Sequence, residues 1–193
     1  GGVYVELGRT DGFIPPNETI AGENYENKER IKVYVLEVRK TNKGPQVLVS
    51  RTHPGLVKRL FELEVPEIQT GVVQIKSIAR EAGFRTKVAV HSNDPQVDAV
   101  GACVGQRGIR VERIVNELHN EKIDIIEWDA DSAVYIAKAL SPAKVIMVYI
   151  NEAEKAAKVI VPDNQLSLAI GKEGQNARLA AKLTGWKIDI KSQ

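Results

Sequence analysis

The chain has 193 residues, 43% hydrophobic and 27% charged, with a net charge of +2 and a single cysteine. That length holds one large domain or two to three small ones; no apolar run approaches the ~18 residues needed to cross a membrane, and one cysteine excludes an internal disulfide. Charge is spread evenly, with 8 basic and 7 acidic groups in residues 1–52, 10 and 12 in 53–130, and 9 and 6 in 131–193, so a polycationic coat is excluded and nucleic-acid affinity would have to come from local placement of charge and backbone donors.

The first fifty residues read as β-structure. Val3–Leu7 alternates apolar and polar positions, Ile31–Val38 alternates over a longer run, and Val47–Val49 is a short further strand. Asn42–Pro45 is a turn, and Pro15–Glu18 and Ala21–Asn27 are loops. Short strands separated by turn signals predict a small antiparallel barrel. The start, Gly1–Glu6, lacks the basic and apolar pattern of a secretion signal, and the lone Cys103 fits a reducing, cytoplasmic setting.

Thr52-His53-Pro54-Gly55 breaks the pattern and marks a boundary between segments 1–52 and 53–130. A helix over Gly55–Ile68 with Leu56, Leu60 and Leu63 on one stripe is followed by strands at Val72–Ala79 and Thr86–Val90. A short helix ends at Gly105, a second covers Gly108–His119, and a strand covers Ile123–Glu127. The same order returns in 131–193: a helix at Ser132–Leu140, strands at Val145–Ile150 and Ala157–Val161, a short helix Leu166–Ile170, a helix to Thr184 and a strand at Ile188–Ile190. Only Trp128–Asp131 separates the repeats, and Trp128 is expected to pack them together.

The two copies share a phrase. Gly105-Gln106-Arg107-Gly108 precedes a helix and Lys122-Ile123-Asp124-Ile125; Gly171-Lys172-Glu173-Gly174 precedes a helix and Lys187-Ile188-Asp189-Ile190. A GxxG loop between two apolar helices, with a strand after the second, is how a KH module clamps the backbone of single-stranded nucleic acid. Glycine lets the backbone pass close to a phosphate, and amides at the start of the next helix point toward it. Val104 and Ile170 precede the loops and are the apolar groove residues. Val111, Ile114 and Val115 form the inward stripe of the first post-loop helix, and Ala177, Ala180 and Ala181 that of the second.

Around the loops, Arg107, Arg110 and Arg113 recur every three residues and form a candidate phosphate track; the bland alternative is a solvated face pairing with Glu112 and Glu117. In the second repeat Lys172 and Arg178 are the counterparts, Glu173 weakens the loop electrostatically, and Gln175 and Asn176 are candidates to read base edges or sugar hydroxyls. His53, His91 and His119 are too scattered for a metal site, and Cys103 among small neighbours reads as a buried spacer. The acidic string Asp124, Glu127, Asp129 and Asp131 reads as strand and linker, not as a Mg²⁺ nuclease site. No Walker, dinucleotide or triad pattern is present, so neither cofactor nor catalysis is expected.

Long phrases extend this reading. Arg30–Val35, Val49–Gly55, Val100–Gly105, Gln165–Lys172 and Asn176–Lys187 closely resemble the central RNA-binding region of the NusA family of bacterial transcription termination/antitermination factors, over essentially the whole chain. The resemblance implies an α+β multidomain fold: a small antiparallel β-barrel of the OB type followed by two KH domains in the helix-strand-strand-helix-helix-strand order. It identifies Gly12–Pro15 through Glu18 as the barrel's central phrase. It also implies that a strand before Gly1 and an N-terminal polymerase-binding domain are missing, so the barrel is incomplete. The partners it implies are nascent single-stranded RNA, bacterial RNA polymerase and other antitermination factors, with the chain acting as a monomer away from membranes. Two other readings compete. An accessory region of an RNA-processing enzyme such as polynucleotide phosphorylase would carry one KH module before its barrel. A protein-interaction scaffold would keep the GxxG loops as relics, and RNA titration separates it.

Overall fold

The computed structural model describes residues 1–26 and 28–193. The loop expected at Ala21–Asn27 therefore reaches one residue, Asn27, outside the described residues.

Four strands form the N-terminal unit: β1 (Val3–Glu6), β2 (Asp11–Ile14), β3 (Tyr34–Thr41) and β4 (Gly44–Ser50), in sheet order β1-β2-β4-β3. The period-two rule works where a face is buried: Val47 and Val49 of β4 point inward with Ile14. Two pairings are antiparallel as expected. β2 and β4 instead run parallel over Gly12↔Val47 and Phe13↔Leu48. Periodicity alone does not reveal β2, because a four-residue run containing Asp11 and Gly12 has little strand propensity. The Ile31–Val38 strand is shifted along the chain to Tyr34–Thr41, and a bulge between Val35 and Glu37 breaks its alternation.

The first repeat begins with α1 (Pro54–Glu64), where His53 Nδ1 accepts a hydrogen bond from Gly55 N at 2.8 Å and caps the helix. Its inward face is Leu56, Val57, Leu60 and Phe61. Leu63, expected on the stripe, is 66% exposed. Pro66 lacks the amide a continuing helix needs, so the single helix expected to Ile68 is split into α1 and α2 (Pro66–Gln69). β5 (Val73–Glu81) and β6 (Arg85–Ser92) form a hairpin. α3 (Ala99–Val104), α4 (Ile109–Glu117) and β7 (Lys122–Glu127) follow. The sheet order is β5-β6-β7, with β5 antiparallel and β7 parallel to β6. The second repeat reproduces this plan with α5 (Ser132–Ala139), β8 (Met147–Asn151), β9 (Ala156–Val161), α6 (Leu166–Ile170), α7 (Gln175–Thr184) and β10 (Lys187–Ser192), in sheet order β10-β9-β8.

The repeats are stacked, not strung. One face of the first sheet covers a core with α1, α3 and α4. Ala79, Ala89 and Ile126 on its other face join the apolar cluster of the second repeat with Tyr135, Ile136, Leu179, Ala180 and Leu183, and half-buried Trp128 packs on it. Small alanines on the sheet let α7 lie close. Ser77 Oγ and Tyr135 OH both donate to the carbonyl of Leu183, at 2.9 and 3.2 Å. α7 is thus covered on two sides, which is why Leu179 and Leu183 are buried beside the expected alanine stripe. The N-terminal unit is tied on by Arg51. Its buried guanidinium donates to Glu23 Oε1 (3.0 Å) and Oε2 (2.5 Å), Glu117 Oε2 (3.0 Å) and the carbonyls of Lys32 and Glu117. Such a charge is tolerated in the interior because its donors are all matched.

Candidate nucleic-acid interface

The two GxxG loops adopt the same backbone. Gly105 has φ 79°, ψ 170°, Arg107 φ 57°, ψ 25° and Gly108 φ 74°, ψ 12°. Gly171 has φ 80°, ψ 169°, Glu173 φ 56°, ψ 26° and Gly174 φ 75°, ψ 10°. The first glycine is required by space as well as by φ. A Cβ at Gly171 would lie 2.7 Å from the amide nitrogen of Asn176, and one at Gly105 would lie 2.6 Å from Arg110 Cγ. The second glycine meets open space or a distant guanidinium, so its left-handed φ is the reason for it. The third residue of each loop, Arg107 or Glu173, holds the same left-handed conformation without being glycine, a cost of about 1 kcal/mol or more that the fold sustains twice.

What this conformation achieves is a pair of free amides. Gly108 N donates to Gly105 O at 3.0 Å, and Gly174 N to Gly171 O at 3.1 Å. The amides of Gln106 and Arg107, and of Lys172 and Glu173, have no backbone acceptor among the described residues. The side chains at these four positions are exposed. Each loop is therefore a concavity of outward N–H donors at the start of a helix, which suits an anion such as a phosphodiester. Val104 is half-buried and Ile170 is 37% exposed, so each loop has an apolar neighbour on the short helix before it. α3 lies along β7 and α6 along β10, each the edge strand of its sheet, so each repeat has a groove between a short helix and a strand edge.

The predicted arginine track is mostly engaged elsewhere. Arg110 donates to Glu67 Oε1 (3.0 Å) and to the carbonyl of Ala102 (2.6 Å), and Arg113 to Glu64 Oε1 (2.8 Å). Both thus bind carboxylates of the α1–α2 segment, not Glu112 or Glu117. Arg178 donates to Glu81 Oε2 (2.6 Å) and Oε1 (2.9 Å) of the first repeat, and also to the carbonyl of Glu173 (2.9 Å). The Arg178 guanidinium holds the Glu81 carboxyl below the usual range. Gln175 reaches the same carboxylate at 3.4 Å. Arg107 and Lys172 are the loop cations for which no carboxylate partner is found among the described residues.

Asn176 corrects the sequence reading. It is fully buried, its Nδ2 donates at 2.9 Å to the carbonyls of both Leu140 and Ala169, and its Oδ1 has no partner. It fastens the second loop to the end of α5 and is not available to read a base. No sequence pattern separates it from Gln175; only the packing of α7 does.

The remaining candidates take structural positions. Cys103 is buried, and burial pushes its thiol up to about 12, which suits a spacer. His53 stacks on Tyr34 with ring centroids 4.4 Å apart, His91 packs edge-on to Trp128 at 5.1 Å, and His119 Nδ1 lies 2.9 Å from Glu23. Among the described residues no group of three His, Cys, Asp or Glu is placed to hold a metal ion. The acidic string is dispersed: Asp124 binds Arg85 and Lys87, Asp131 caps α5 through Ala133 N, and Glu127 lies 3.6 Å from Lys138. Sequence reasoning missed Arg51, Lys87 and Glu81. Each is a charge whose role depends on a partner 28 or more residues away.

Comparison with known proteins places each unit. Residues 1–50 match the S1 RNA binding domain, 51–128 the NusA-like first KH domain and 132–193 the NusA-like second KH domain. The chain is 62% identical over 191 residues to the transcription termination/antitermination protein NusA of Halalkalibacterium halodurans, covering 99% of this chain and 50% of that protein. It is 63% identical over 191 residues to NusA of Bacillus subtilis, covering 99% and 52%. The chain spans about half the length of these curated relatives. A crystal structure described as APE1850 shares the fold with a TM-score of 0.51 at 22% identity, over 69% of this chain and 96% of that one.

Proposed function

The chain belongs to the NusA family, and we propose that it is the RNA-holding part of a factor that accompanies bacterial RNA polymerase and regulates pausing, termination and antitermination. Single-stranded RNA lies across the two GxxG loops, its phosphates on the amides of residues 106, 107, 172 and 173 and its bases over Val104, Ile170 and the strand edges. Arg107 and Lys172 add charge, and Gln175 remains within reach of the second loop. The factor works in the cytoplasm as a monomer, binds nascent transcript, and performs no chemistry on it. The observation that carries this reading is the identical strained conformation of two loops set in rigidly stacked repeats; a fold that only needed a tight turn twice would gain nothing from an αL residue between the glycines.

Titration of a fluorescently labelled single-stranded RNA with the 193-residue chain tests the reading. Saturable binding that competes with unlabelled RNA is expected. Absence of binding at micromolar protein would favour a protein-interaction scaffold.

A further inference from the structure

The tip of the β5–β6 hairpin is one of the most exposed apolar points of the molecule. Phe84 is 67% exposed and belongs to none of the three apolar clusters. The backbone that carries it is fixed. Gly83 N donates to Glu121 Oε1 at 2.7 Å, and Phe84 N closes a turn onto Glu81 O at 3.0 Å. A Cβ at Gly83 would stand 2.8 Å from Ile20 Cγ2 of the N-terminal unit, so a second unit buttresses the tip. A rigid mount for an exposed benzyl ring does nothing for folding, because the ring buries little area.

The position of the tip says what the ring meets. On one side, Phe84 O accepts from Lys122 N at 3.1 Å, so the tip adjoins the first residue of β7, the strand edge of the first groove. On the other, Glu81 at the base of the same turn binds Arg178 and Gln175, and Arg178 also holds the carbonyl of Glu173 inside the second loop. The hairpin tip therefore stands between the end of the first groove and the second clamp. Resting on the RNA-binding reading above, we propose that Phe84 is a stacking platform for the base of the nucleotide that links the two KH grooves. Aromatic faces accept any base without hydrogen-bond readout. This suits a linking nucleotide whose identity neither groove inspects. It also gives the chain a contact made only by RNA that spans both repeats.

The test compares Phe84→Ala, Phe84→Leu and Phe84→Trp in the whole chain, against RNA of about eleven nucleotides and against four-nucleotide RNA. A parallel long RNA carries an abasic site at each central position in turn. Removing one base–aromatic stack weakens binding by about five- to a hundredfold. Phe84→Ala and Phe84→Leu are expected to lose that much on the long RNA and nothing on the short one, and Phe84→Trp to retain wild-type affinity. One abasic position should weaken the wild type and leave Phe84→Ala unchanged. Equal affinities of wild type and Phe84→Ala for the long RNA, or equal losses on long and short RNA, overturn the platform while leaving RNA binding itself intact. If the wild-type chain binds neither RNA, it is the RNA-binding reading that fails.

Discussion

Arg178 of the second repeat grips Glu81 of the first through two hydrogen bonds, of 2.6 and 2.9 Å, one helical turn beyond the second GxxG loop. The pair couples a clamp to the neighbouring domain and keeps a cation from the groove. Replacing Glu81 by Gln should free Arg178 to meet a phosphate. The expected result is a tighter complex at low salt and a log–log salt slope steeper by roughly 0.7. The starting slope should be modest, about three to five contacts' worth. Affinity measured from 50 to 300 mM salt checks both, and an unchanged slope in Glu81→Gln would mean Arg178 stays away from RNA.

The loops should separate binding from folding. Asp at 106 and 107, or at 172 and 173, places carboxylates where free amides await an anion, and should abolish or strongly weaken RNA binding. The side chains at these positions are exposed, so stability should change by no more than about 0.5 kcal/mol each. Thermal melts run beside binding assays decide this; a variant that unfolds as it loses affinity contradicts the division of roles.

Because the repeats share one apolar cluster, the second clamp is effectively intramolecular once the first is loaded. With roughly four nucleotides per groove, oligomers of about nine or more should bind far more tightly than those of four or five. Disabling either loop should bring the long oligomer down toward the short one. Equal affinities across lengths would mean that the grooves act singly.

Asn176 makes a contrasting prediction. Asn176→Ala removes both buried hydrogen bonds from its amide; the carbonyl of Ala169 is left unpaired, while that of Leu140 keeps its bond from Ala143 N. The cost should be about 2–3 kcal/mol, or several degrees of melting temperature. Any loss of RNA affinity should follow from the disturbed loop and be largest near the melting temperature. A variant with a native melting curve but lost affinity would restore Asn176 as a direct RNA contact.

Lys87 sets a pH dependence. It is fully buried between the repeats, 2.8 Å from Asp124 and 2.8 Å from the carbonyl of Ser141. Burial, with Arg85 and Lys122 nearby, outweighs the pull of Asp124 and lowers its ammonium to about 8. Between about 8 and the unfolded value of 10.5, the unfolded chain binds the proton and the folded chain does not. Stability should therefore rise with pH across that window. Chemical denaturation at pH 7.5 and 9.5 measures it, and Lys87→Met, which leaves Arg85 on Asp124, should flatten the rise. A wild-type stability that falls over this interval would contradict the assignment.

Much of this molecule was determined by sequence alone, and the parts that were share a property: they are local. The GxxG loops are legible because the backbone of the first position is essentially glycine's alone and the left-handed fourth position favours glycine, and the helices beside them because apolar residues recur at helical spacing. The order of elements, and so the fold class, follows from those signals. Even Trp128 as the link between repeats follows from a four-residue connection. What only the tertiary structure decided is which face each side chain finally turns to. Asn176 and Gln175 are neighbours with similar chemistry, yet one is walled in by α5 and the other is not. Arg110, Arg113 and Arg178 read as a phosphate track until carboxylates 43, 49 and 97 residues away claim them. The sequence stripe of α7 names only alanines, and Leu179 and Leu183 join the buried set because the first repeat's sheet also covers that helix. Ion pairing and burial are contests among all groups brought near, and proximity between residues far apart in the chain is created by the fold.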